Sequence, residues 1–88
     1  MSQICRFKFK EGVTKGLIEE QIALAIITAE CTFGQARVRL YASYLAVDCK
    51  AVIDASSDVG EHIAQVFTGL MMRQVGEENF TVERIRKD

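Results

Sequence analysis

The stretch ARVRLYASYLAVDCKAVID, residues 36–54, decides the fold. It holds too many β-branched and aromatic residues for a helix, and it is too long for one ordinary strand. A two-residue turn at Ala42-Ser43 predicts a hairpin with one consistent register. Leu40 then faces Leu45, Val38 faces Val47 and Ala36 faces Cys49 on one side. On the other side Tyr41 meets Tyr44, and Arg37 meets Asp48 as an opposite-charge cross-strand pair. A turn at Asp48-Cys49 instead would send Leu45 and Val47 to the polar side, which argues against it. Ala-Ser lacks the Gly or Asn that two-residue turns favour, so a longer or irregular turn within 41–44 stays open.

The flanking segments complete the pattern. Residues 4–10 alternate, with Cys5, Phe7 and Phe9 on one side and Arg6, Lys8 and Lys10 on the other, as in a half-buried strand. Thr14 is a fair N-cap for a helix over 15–31, whose stripe is Ile18, Ile22, Ala25, Ile26 and Ala29. Phe33-Gly34 supplies its stop. A second helix opens at Ser57-Asp58, where Asp58 and Glu61 have the spacing of a capping box. Its stripe is Val59, Ile63, Val66, Phe67, Leu70 and Met71, and Gly76 ends it. Residues 80–86 form a last strand in which Ile85 breaks the alternation of Phe80 and Val82.

Strand, helix, strand, strand, helix, strand is the βαββαβ pattern of an α+β, ferredoxin-like two-layer sandwich. It predicts a four-stranded antiparallel sheet with two helices on one face and the spatial order fourth, first, third, second. The 88 residues are expected to form a single domain, 1–88.

Composition narrows the function classes. A net charge of −1, from 11 basic and 12 acidic residues, excludes a uniformly basic nucleic-acid binder. Cys5, Cys31 and Cys49 are odd in number and lack a C-x-x-C pair, so neither a disulfide framework nor a zinc knuckle is expected. A reducing, cytoplasmic setting follows. No apolar run approaches the roughly 18 residues of a membrane span, and no secretory signal is visible, so no membrane role is expected.

The charges are unevenly placed. Eight of the 11 basic residues (Arg6, Lys8, Lys10, Arg37, Arg39, Lys50, Arg84 and Arg86) fall in expected strands, and most acids fall in or beside helices. An open, basic sheet face is therefore expected. Arg6, Lys8, Lys10, Arg37, Arg39 and Lys50 would there bind an anion or single-stranded nucleic acid. Against that reading, Phe7 and Phe9 have core parity, and only Tyr41 and Tyr44 point outward for base stacking.

The first helix is apolar on more than one side. Leu17 and Leu24 form a second ridge with Cys31, Ile27 lies beyond it, and Met72 lies off the stripe of the second helix. Leu17, Leu24, Ile27 and Met72 are the expected contact surface of a homodimer or of a subunit in a larger assembly.

Chemistry has thinner support. His62 shares a neighbourhood with Asp54, Asp58 and Glu61, a set able to hold a divalent ion or relay a proton, yet Asp58 and Glu61 as caps and His62 as a half-exposed helix residue are the favoured reading. Gly12-Val13-Thr14-Lys15-Gly16 lies where backbone N–H groups can cradle a phosphate, but it is not a Walker A sequence. No catalytic residue, cofactor or metal ligand is assigned. The leading expectation is a non-enzymatic interaction or regulatory module.

Overall fold

The computed structural model describes residues 2–87. Its order is β1 (Ser2–Phe9), α1 (Lys15–Phe33), α2 (Gln35–Tyr41), β2 (Tyr44–Val47), β3 (Lys50–Asp54), α3 (Asp58–Val75), a single 3-10 turn (Glu77–Asn79) and β4 (Phe80–Lys87). The fold is mixed α+β. Four strands form one sheet in the order β2-β3-β1-β4, and every neighbouring pair is antiparallel.

Alternation along β1 separates the two faces of the sheet. Cys5, Phe7 and Phe9 are buried under the helices, while Arg6 and Lys8 are exposed on the open face. The helices contribute Ile18, Ile22, Ala25 and Ala29 from α1 and Val59, Ile63, Phe67 and Met71 from α3. Phe67 meets Phe7 edge-on at 4.8 Å between ring centroids, which seats α3 on the middle of the sheet.

The helix ends follow local chemistry. Thr14 caps α1, its Oγ1 accepting from Leu17 N at 3.2 Å. Ser57, not Asp58, is the N-cap of α3: its Oγ accepts from Gly60 N at 3.0 Å. Asp58 is the first helical residue, so the expected Asp58–Glu61 capping box is corrected.

The larger corrections fall within 36–54. There are three α-helices, not two, and residues 36–41 belong to α2 rather than to a strand. Gly34, at φ 91, ends α1 and begins α2 in a conformation that L side chains rarely adopt. Its carbonyl accepts from Val38 N at 3.2 Å, closing the first turn of α2. Val38 is the one buried residue of α2 and locks it to the core. The β-rich character of the window resides in 44–53. Residues 35–41 hold a single β-branched side chain, Val38, and a single aromatic, Tyr41.

The hairpin is β2–β3, and it turns at Asp48-Cys49, the turn that the hydrophobic pattern argued against. Val47 pairs with Lys50, Leu45 with Val52, Ala46 with Ala51 and Tyr44 with Ile53. None of the expected Leu40–Leu45, Val38–Val47, Ala36–Cys49 or Arg37–Asp48 pairs forms. Cys49 lies in the turn at φ 64, and its N–H donates to Val13 O at 3.1 Å. Ala51 and Ile53 of the inner strand β3 claim the core side, so in this register edge strand β2 turns Leu45 and Val47 outward.

Candidate functional site

Two surfaces and one cluster were singled out by sequence, and the fold treats each differently. On the helix layer, Leu24 and Ile27 of α1 and Met72 of α3 are exposed, Ile27 at 53 %. Leu17 is only partly buried and packs on the core. These four residues therefore lie on two neighbouring helices, with exposed Glu19 and Glu20 also on α1.

The expected basic sheet is largely dismantled. Arg37 and Arg39 stand on α2, off the sheet. Arg37 lies over the Phe33 ring at 5.1 Å and donates to Asp58 Oδ2 at 2.6 Å. Arg84 shares register with Cys5 and so faces the helix side, where it forms a two-pronged pair with Glu61 at 2.8 and 2.9 Å. That hydrogen bonding holds the Glu61 carboxyl below its ordinary value against the opposing effect of burial, and Gln65 assists. Arg86 shares register with Gln3, on the same side as Cys5. Of the cations proposed for nucleic acid, Arg6, Lys8 and Lys50 lie on the open face, with Lys10 just past the end of β1. Arg6 is 3.5 Å from Glu83.

The register of the open face shows what replaces the basic platform. Val47, Lys50, Lys8 and Thr81 form one row across the four strands. Leu45, Val52, Arg6 and Glu83 form the next, and Asp54, Ile4 and Ile85 continue on three strands in the third. The break in alternation at Ile85 is thus an apolar residue on the open face, beside Ile4. A shallow groove lined by Ile4, Ser43, Tyr44, Leu45, Val52 and Asp54 lies on this face. A second groove shares Ser43 and Asp54 with it and extends to Leu40 and Tyr41.

The carboxylate–histidine set does not assemble. Asp58 is taken by Arg37 and Glu61 by Arg84, while Asp54 Oδ1 accepts from Ser56 N at 2.9 Å. His62 Nε2 lies 3.4 Å from Thr28 Oγ1, and its ring meets Phe33 edge-on. Among the described residues no three His, Cys, Asp or Glu side chains gather as a metal site. At the Gly12–Gly16 loop, the first backbone N–H of α1 donates to Asp48 Oδ1 at 2.6 Å, so the protein's own carboxylate occupies the position an anion would take. Cys5 is buried, and burial pushes its thiol above the ordinary value.

Sequence reasoning missed the exposure of Leu40 on α2 and of Leu45 and Val47 on the open face of β2, beside the exposed Tyr41 and Tyr44. The available signal was eight consecutive uncharged residues, Leu40–Val47, without Pro or Gly. No helix among the described residues is long and apolar enough to cross a membrane. Compared with known proteins, the chain has no significant match to a family model, a curated protein or a solved structure.

Proposed function

We propose that the chain is a small, non-enzymatic interaction module of ferredoxin-like topology, acting as a homodimer or as a subunit of a larger assembly. The topology is supported by the sheet order β2-β3-β1-β4 with α1 and α3 packed together, α2 being an added short helix. A cytoplasmic setting is supported by three unpaired cysteines.

One observation carries the association reading: among the described residues, five of the nine exposed large apolar side chains fall within Leu40–Val47. Singly exposed apolar residues are ordinary, but Leu45 and Val47 adjoin Val52 and Ile4 on the open face, and a patch of this kind marks a contact surface. For a domain this small, burying it against a partner also adds core that the chain cannot supply alone.

The test is absolute mass by light scattering at low and high salt. A mass twice that of the monomer at both salts is expected. A monomer at every accessible concentration overturns the homodimer and leaves only a different partner chain.

A further inference from the structure

An oblique apolar band crosses the open sheet, from Leu45 and Val47 on β2 through Val52 to Ile4 and Ile85. Leu45 is 63 % exposed. Beside the band Arg6 and Glu83 pair with each other at 3.5 Å; Lys8 and Lys50 flank the band on the side of the Asp48-Cys49 turn, and Asp54 flanks it on the other. None of these three charges forms an ion pair among the described residues.

We propose that this face is the contact between two copies of the chain, related by a two-fold axis that runs along the apolar band. The inference rests on the association reading above and gives it a surface, a symmetry and a charge pairing.

Charge selects a second copy as the occupant. Rotation about an axis along the band lays band on band and turns each flank onto the opposite one. Lys8 and Lys50 then oppose the partner's Asp54, and the partner's two lysines oppose Asp54 in turn. The flanks of the face are thus complementary in sign to themselves. The helix layer is not. Leu17, Leu24 and Ile27 share α1 with exposed Glu19 and Glu20, so two copies meeting through that helix would bring acid towards acid.

Size and edge chemistry agree. A stable interface needs about 800 Å² from each partner, roughly one-seventh of the 5414 Å² accessible surface. The molecule is a slab of 35 × 30 × 18 Å, and the open sheet is one of its broad faces. Strand β2 is a sheet edge without the Lys or Pro that commonly guards edges, so no charge on it resists the approach.

The test is sedimentation equilibrium on four variants of the full chain, with circular dichroism to establish that each is folded. Leu45→Lys alters an exposed side chain and should raise the dimer dissociation constant at least about 30-fold. Ile27→Glu, on the helix layer, should change it less than about threefold. Lys8→Glu with Lys50→Glu should weaken the dimer about tenfold, and adding Asp54→Lys in the same chain should restore it, because the exchanged charges face each other again. A dimer that survives Leu45→Lys but is lost in Ile27→Glu overturns this inference and leaves the association reading intact. A failure of Asp54→Lys to rescue the folded Lys8→Glu, Lys50→Glu chain overturns the two-fold pairing. A monomeric wild type overturns both the inference and the homodimer beneath it.

Discussion

Asp48 Oδ1 accepts a 2.6 Å hydrogen bond from the backbone N–H of Lys15, so the β2–β3 turn caps a helix 33 residues earlier in the chain. Cys49 N–H, donating to Val13 O, ties the same turn to the same loop. The first N–H groups of a helix have no partner within it, and a carboxylate there also meets the positive end of the helix dipole. One side chain thus sets where the hairpin turns and removes the vacancy that would have made Gly12–Gly16 an anion site.

Replacing that carboxylate should be felt throughout the fold. Asp48→Ala is expected to lower stability by about 1 kcal/mol, as loss of a capping side chain does. Asp48→Asn, which keeps an accepting oxygen, should cost less. The urea midpoint of each variant, at unchanged slope, measures this. Equal midpoints for wild type and Asp48→Ala would show that the contact contributes nothing.

The Arg84–Glu61 pair predicts a pH dependence of defined sign. Arg84 donates two hydrogen bonds to the Glu61 carboxylate and holds its folded pKa below the ordinary 4.5. A carboxyl depressed on folding adds stability above its unfolded pKa and loses it as pH falls through the folded value. Glu61→Gln should therefore be less stable than wild type near neutrality, by about 0.5–1 kcal/mol given the exposure of the pair. The two melting temperatures should converge as pH drops below 4.5. A gap that stays constant into acid would show that the carboxylate's charge is not the cause.

Two glycines of α3 should respond in opposite directions to the same substitution. A Cβ on Gly60 would collide with the carbonyl oxygen of Asp54, where the start of α3 lies against the end of β3. Gly60→Ala is expected to destabilise by about 2 kcal/mol or more, since backbone has to move. Gly69 has nothing within 4 Å of such a Cβ, and it lies on an exposed face. Gly69→Ala should stabilise by about 0.5–1 kcal/mol through helix propensity alone. Thermal unfolding of the pair gives both signs, and a stabilised Gly60→Ala would refute the close approach.

Gln21 is the buried polar residue of α1, 3 % exposed, and its Oε1 finds no hydrogen-bond partner. Burying an amide oxygen without a bond costs free energy that an apolar side chain of similar length avoids. Gln21→Met should therefore raise stability by about 1 kcal/mol. A loss of similar size in chemical denaturation would mean that the amide is bonded after all.

Much of the secondary structure was legible because each element reports its own environment. The alternation around Phe7 and Phe9 placed β1, and the stripe from Val59 to Met71 placed α3, since both bury one face only. The caps were nearly as clear: Thr14, Gly34 and Gly76 stand at helix ends as read, and Ser57 displaced Asp58 by one position. Residues 36–41 were misread because Val38 and Tyr41 were pooled with the β-rich residues after them. The short helix formed there is held by Val38 in the core and by Arg37, which lies over nearby Phe33 and pairs with Asp58 across the fold.

The candidate surface was legible only in part. Leu24, Ile27 and Met72 emerged exposed as the helical periodicity implied, but the open sheet did not emerge basic. Parity along one strand tells which residues share a face. It cannot tell which strand lies at an edge, where an apolar side chain is allowed to face outward. The sequence by itself determined β1, β4, the two long helices and the sides of β1, because local periodicity and capping suffice for those. Only the tertiary structure decided the turn at Asp48-Cys49, the outward aim of Leu45 and Val47, and the pairing of Arg84 with Glu61. The first and third were chosen by partners remote in sequence, the N-terminus of α1 and the carboxylate of α3, and the second by the core-facing Ala51 and Ile53 of the paired inner strand β3.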